Sequence, residues 1–120
     1  MNKRILVIED DRDILQGMMM LLEMEGYSVV AAENGQIALD YLHAAETLPD
    51  LILLDLMMPV KDGYEFRREQ QLDPALAAIP VIIMSADANA EAKAAGMGSK
   101  RFLVKPVDIN DILGAAATCC

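Results

Sequence analysis

Basic charge is scarce in this 120-residue chain: 10 Lys and Arg face 19 Asp and Glu, a formal net charge of -9. With no basic patch to neutralise phosphates, the composition argues against direct nucleic-acid binding and against binding to an acidic membrane. A cation is the small partner that clustered acids invite. Long apolar runs are missing too. No window reaches the roughly 18 unbroken apolar residues of a membrane span. Met1-Asn2-Lys3-Arg4 leads straight into a strand-like run, without the apolar core and small-residue cleavage site of a signal peptide. Cytoplasmic residence is therefore expected. Cysteine is limited to Cys119 and Cys120. Adjacent cysteines strain a mutual disulfide and no histidine or second pair joins them, so they read as a tail without a catalytic role. The single histidine, His43, falls on the polar side of a predicted helix and reads as solvated rather than as a phosphodonor or ligand.

What is present is apolar and regular. Hydrophobic residues make up 54% of the chain, enough for the core of one domain over residues 1–120. Strand and helix patterns alternate from end to end. Ile5-Leu6-Val7-Ile8 is a short apolar run. Ile14, Leu15, Met18, Leu21 and Leu22 then recur at helical spacing, and Gly26 supplies a left-handed stop. Met18 to Met20 read as adaptable filler rather than a binding stripe. Val29-Val30-Ala31 is a second strand. Asn34 reads as a helix N-cap, since Ile37, Ala38, Tyr41, Leu42 and Ala45 follow at helical spacing. Leu51–Leu54 is continuous enough to be buried on both faces.

A helix over 63–72, stopping near Asp73-Pro74, a strand at 81–84, a short Ala-rich helix at 89–95, a strand at 101–104 and a helix at 108–117 complete the pattern. The expected fold is α/β: a doubly wound parallel (βα)5 sheet with helices on both faces. Right-handed crossovers and a switch point favour strand order 2-1-3-4-5.

The chemistry-bearing residues sit where strands end. Glu9-Asp10-Asp11 follow the first run, Asp55 the third, Ser85 the fourth, and Lys105-Pro106 the fifth. In an open parallel sheet those ends share one edge, where ligands bind. Order 2-1-3-4-5 makes strands 1 and 3 neighbours, so Asp10 and Asp55 end side by side, and a divalent cation would relieve their repulsion. Oxygen donors suit Mg²⁺, with Mn²⁺ as a substitute. Lys105 and the Ser85 hydroxyl leave room for a tetrahedral anion. That is a layout for phosphoryl transfer, with Asp55 as the central nucleophile and an aspartyl phosphate as product.

Taken together, Ile5-Leu6-Val7-Ile8-Glu9-Asp10, Asp55-Leu56-Met57-Met58-Pro59 with Asp62-Gly63, Met84-Ser85-Ala86 and Phe102-Leu103-Val104-Lys105-Pro106 resemble a response-regulator receiver domain of two-component signalling, chemotaxis-regulator-like, over the full chain. The resemblance implies a flavodoxin-like fold and a phosphoacceptor switch that assists its own phosphorylation and dephosphorylation, not a turnover enzyme. It implies Asp55 as phosphoacceptor and metal ligand, Asp10 as a direct Mg²⁺ ligand, Glu9 acting through water, and Met57 giving its backbone carbonyl. It further implies Ser85 as the switch hydroxyl, Lys105 as the phosphoryl-binding lysine, Ala86 as the small residue that keeps Asp55 accessible, Phe102 as the switch aromatic, and a cis peptide before Pro106. Asp11 reads as a helix-start acid, with a metal role behind the direct ligands as the lesser option. The implied partners are a sensor histidine kinase or histidine phosphotransfer protein, and a downstream protein target or an effector domain absent from this chain.

The chain departs from the family in places. Phe102 stands where many relatives have Tyr, so its inward or outward preference rests on burial alone. Between Ser85 and Gly96 the chain is about one helical turn short, and Gly98 and Ser99 lengthen the exit, so a short fourth helix with an unusual exit is expected. The last helix is rich in small residues. These changes put the family's common dimer mode in doubt. A phosphatase of the haloacid-dehalogenase type needs an acid two residues after the nucleophile, where this chain has Met57. A nucleotide-binding flavodoxin-like protein needs a glycine- or hydroxyl-rich loop where this chain has acids. A receiver-like interaction module that no longer takes phosphate is the remaining alternative.

Overall fold

The computed structural model describes residues 3–58, 60–86, 89–98, 101–105 and 107–119, with backbone alone at 90, 91, 101, 118 and 119. The strands are β1 (Arg4–Ile8), β2 (Ser28–Ala32), β3 (Leu51–Asp55), β4 (Val81–Ser85) and β5 (Arg101–Val104). The helices are α1 (Arg12–Met24), α2 (Gly35–Ala44), α3 (Gly63–Leu72), α4 (Pro74–Ala77), α5 (Ala90–Gly96) and α6 (Ile109–Cys119). The strands form one parallel sheet in the expected order, β2-β1-β3-β4-β5. Among the described residues there are six helices where five were expected. Asp73-Pro74 ends α3 but also starts α4, because Asp73 caps the Ala75 N–H at 2.9 Å and Pro74 fits a first helical turn.

Period-two alternation divides the core. Leu6, Ile8, Ile52, Leu54 and Ile83 face α2, α3, α4 and α5, where Leu39, Phe66, Leu76 and Ala94 meet them. Ile5, Val7, Leu51, Leu53, Ile82 and Met84 face α1 and α6, against Leu15, Met18, Leu22, Ile112 and Ala116. Every residue of β3 and β4 is buried, so both strands are apolar without a break until each reaches its last residue, Asp55 and Ser85.

Local signals hold where they were expected. The Gly26 N–H donates to the Glu23 carbonyl at 3.0 Å and the Tyr27 N–H to the Leu22 carbonyl at 3.1 Å, with Gly26 at φ 95°. This paired closure satisfies the last carbonyls of α1, and the positive φ favours glycine. Asn34 accepts the Ile37 N–H at 2.9 Å and so caps α2. The helix after β4 is short, at 7 residues against 11 for α6. Ser99, Pro59, Cys120 and the peptide before Pro106 lie outside the described residues.

Candidate functional site

Register sets the site before any side chain is considered. Ile8 pairs with Leu54, Asp55 with Met84, and Ser85 with Val104. One step past those pairs lie Glu9 and Lys105, at the same sheet edge as Asp55 and Ser85. Alternation sends Glu9, Asp55 and Lys105 toward the α1/α6 side, and Ser85 toward the side that carries Ile83 and Phe102.

The acids differ in depth. Glu9 is 0% exposed and Asp55 3%, whereas Asp10 is exposed at the turn into α1. One carboxylate oxygen from each of Glu9, Asp10 and Asp55 falls within a 4.8 Å group. The Lys105 ammonium donates to Glu9 Oε1 at 2.9 Å and Oε2 at 3.2 Å, and lies 3.2 Å from Asp55 Oδ1. The Lys105 N–H donates to the Ser85 carbonyl at 2.8 Å, which ties the lysine to the end of β4.

Among the described residues one ammonium serves a group of three acids, and the charge imbalance shows in the proton affinities. Burial, then the Asp55 carboxylate beside it, pushes Glu9 up to about 8, against the opposing pull of Lys105. Burial alone would lower Lys105, but its bond to Glu9 and the charges of Asp55 and Glu9 outweigh that and raise it. An all-oxygen donor set with surplus negative charge, one member of it exposed, fits a hard divalent cation that keeps several waters.

The loops on either side are held by main-chain geometry. Asp11 is spent on α1: its Oδ1 accepts the Asp13 N–H at 3.0 Å and the Ile14 N–H at 3.2 Å. On the other side, the Met57 N–H reaches Asp55 Oδ1 at 3.4 Å while Met57 as a whole is 75% exposed. Asp62 caps α3 by accepting the Glu65 N–H at 2.9 Å, and the Gly63 N–H donates to the Leu56 carbonyl at 3.0 Å. A Cβ on Gly63 would stand 2.6 Å from the Asp55 carbonyl oxygen and 2.8 Å from the Leu56 Cα. Only glycine lets α3 begin directly against the backbone that carries Asp55. Sequence reading grouped Asp62-Gly63 with the motif but did not foresee this steric role. Val60, at φ 68°, is a non-glycine residue in the left-handed region within the same loop.

Ser85 is buried and Ala86 exposed. Phe102 is half-buried and packs against the core on the α2–α5 side. A cavity of about 380 Å³ opens between α1 and α6 and reaches Glu9, Lys105 and Ala86, so the site is approachable along an apolar wall. His43 is on the surface, with Nε2 3.7 Å from the Asp73 carboxylate. No described helix is long and apolar enough to cross a membrane.

The family described as response regulator receiver domain matches residues 5–117. The response regulator MprA of Mycolicibacterium vanbaalenii is 36% identical over 112 residues, which is 92% of this chain and 47% of that protein. The chain thus spans about half the length of the curated relatives it matches. Among solved structures, the chemotaxis response regulator CheY4 of Vibrio cholerae superposes with a TM-score of 0.90 at 25% identity, covering 100% of both chains. The receiver domain of Francisella response regulator 1452 gives 0.86 at 28%, covering 98% of this chain and 96% of that one.

Proposed function

This chain belongs to the response regulator receiver domain family, and on that premise we propose that it is the phosphoacceptor switch of a two-component relay, with Asp55 as the acceptor. The observation that carries the reading is the buried Asp55 carboxylate, 3.2 Å from the Lys105 ammonium and within a cluster of three acids at one sheet edge. An Asp55 oxygen attacks the phosphorus of a phosphohistidine on a sensor kinase or phosphotransfer protein. The O–P bond forms as the P–N bond breaks, and the imidazole leaves with a proton. Asp10, Asp55 and the Met57 carbonyl, with Glu9 through water, would hold Mg²⁺ (or Mn²⁺). When bound, the cation offsets charge on the acids and the incoming phosphoryl group.

Lys105 neutralises a phosphoryl oxygen on the other side. In that event the ammonium exchanges part of its contact with Glu9 for the phosphoryl group. Ser85 turns its hydroxyl toward the new anion, and Phe102, on the same side of the sheet, moves inward. Ala86 keeps the approach to Asp55 open. We read residues 1–120 as one cytoplasmic receiver unit that acts on a downstream protein target or on an effector domain outside this sequence. It assists its own phosphorylation and hydrolysis rather than turning over an outside substrate.

The test is intact mass after incubation with Mg²⁺ and acetyl phosphate. Gain of one phosphoryl mass is expected, lost in Asp55→Asn and in excess chelator. Full labelling of Asp55→Asn would overturn the assignment of Asp55. No gain in the unaltered chain would favour the interaction module that no longer takes phosphate.

A further inference from the structure

One stripe of α3 is polar and cationic. Tyr64, Arg67, Arg68 and Gln71 are spaced i, i+3, i+4 and i+7, so they share one face of the helix. With Gly96 and Met97 at the end of α5 they line a cavity of about 250 Å³. Tyr64 and Met97 also pack against the core on the α2–α5 side and give the cavity its apolar wall.

The cations of this cavity lack counter-charge. Arg67 is only 8% exposed, yet its partners are neutral. Nη1 donates to Gln70 Oε1 at 2.7 Å, Nε to the Met97 carbonyl at 3.0 Å, and Nη2 to the Gly98 carbonyl at 3.5 Å. Each Nη keeps a second N–H for which no described residue supplies an acceptor. Carbonyls at a helix end offer about half an elementary charge at most. Burial lowers the proton affinity of Arg67, and no carboxylate beside it opposes that. Arg68 is exposed and makes no hydrogen bond or ion pair among the described residues. Glu69, on the same helix, is bonded to Lys61 instead. The Tyr64 hydroxyl is also without a partner among the described residues.

We propose that this cavity binds a small phosphate monoester, its anionic head on the Arg67 and Arg68 guanidiniums and its organic part against Tyr64 and Met97. Planar guanidinium forks meet phosphate oxygens in pairs, and a dianion matches a pair of cations better than a carboxylate does. The net charge of -9 opposes a polyanionic partner such as nucleic acid or an acidic membrane. A small ion inside the cavity meets the local excess of positive charge, because exposed charges beyond about 8 Å are largely screened at physiological salt. The cavity shares no residue with the acid cluster at Asp55, so the inference stands apart from the phosphoacceptor reading.

The experiment is an amide NMR titration of the full chain with phenyl phosphate, in EDTA and at constant ionic strength. EDTA leaves the acids at the sheet edge without a cation to bridge them to phosphate. Saturable shifts are expected at 64–71 and 96–98, with half-saturation at about 1 mM, the scale of a few charge-assisted contacts. Arg68→Gln should weaken binding about five-fold or more. The fold does not depend on this exposed, unbonded side chain, so the variant should keep the resting spectrum outside α3. Arg68→Lys, which keeps the charge but loses the fork, should fall between. Benzoate, with the same ring and one charge, should bind about five-fold more weakly or worse. Shifts that grow without saturating, or that centre on residues 9–10 and 55, would overturn the site. Equal affinity in Arg68→Gln would overturn the role of the arginines, and benzoate binding as tightly as phenyl phosphate would overturn the ligand class.

Discussion

Replacing Lys105 by Met keeps an unbranched side chain of similar length and removes a cation that, among the described residues, alone contacts the buried Glu9 and Asp55. Charges about 3 Å apart at an effective dielectric of about 20 attract by roughly 5 kcal/mol. Much of that is offset in the intact protein by the desolvation of the lysine, which is 22% exposed on its side chain, and of Glu9, which is fully buried. Breaking a buried pair typically costs about 3–5 kcal/mol, and partial exposure of the lysine puts this case at the low end, about 3 kcal/mol. With a urea m-value of roughly 1.5 kcal/mol/M, the unfolding midpoint in EDTA should fall by about 2 M.

The loss should depend on pH with a defined sign. Glu9 is raised from 4.5 to about 8 in the folded chain, so its contribution is fully present below the lower value and is lost as pH rises toward the higher. The unaltered protein in EDTA should therefore lose stability between about pH 5 and pH 8.5. Lys105→Met should lose more, because the lysine is what favours ionised Glu9. Saturating Mg²⁺ should recover much of the loss, and Mg²⁺ affinity should be equal or slightly higher in the variant, since a nearby positive charge is gone. Phosphorylation by acetyl phosphate should be impaired even so. Urea titrations in EDTA at two pH values, and a Mg²⁺ titration, check these outcomes. An EDTA midpoint unchanged at pH 8.5, or Mg²⁺ binding weakened by an order of magnitude, would refute the charge accounting.

Gly63→Ala forces a methyl to within 2.6 Å of the Asp55 carbonyl oxygen; it should cost about 1–3 kcal/mol in a urea melt and slow phosphorylation by displacing the acceptor strand. Asp11→Ala removes two capping bonds and should cost about 1 kcal/mol while leaving Mg²⁺ affinity within about two-fold by titration; a large affinity loss would instead place Asp11 near the metal. Beryllofluoride with Mg²⁺ should lower amide exchange over residues 86–104 more than over 12–45, as Ser85 turns and Phe102 moves inward. If protection rises most in 12–45, the switch runs by another route.

Local residues carry their meaning in the sequence wherever the physics is local. Asp11, Asn34 and Gly26 act on backbone groups two to five residues away, and each was legible as a cap or stop. Unbroken apolar runs ending in Asp55 and Ser85 likewise specified buried strands and the edge at which chemistry collects. The four residues of α4 were not legible, because Pro74 is as good a stop for one helix as a start for the next. Gly63 was legible only as part of the Asp62-Gly63 motif pair; its role is a backbone contact with Asp55 that only the packed loop creates.

Tertiary structure decided the rest. Lys105 and Glu9 are 96 residues apart in the chain, and only the parallel register with its alternating faces brings that lysine onto the two acids buried at the sheet edge. In sequence, Glu9 was the acid assigned to act through water. In the fold it is shielded from solvent together with Asp55, and its raised proton affinity is a property of that depth and of Asp55 beside it. Arg67 stands in a helix of mostly polar residues, where nothing separates it from Arg68 in composition or spacing. Its partners at Met97 and Gly98 are carbonyls about thirty positions away. A side chain's type and spacing reveal which backbone groups it can reach nearby. Which distant carbonyls end up in front of a buried guanidinium depends on how two helices dock, and no local pattern encodes that.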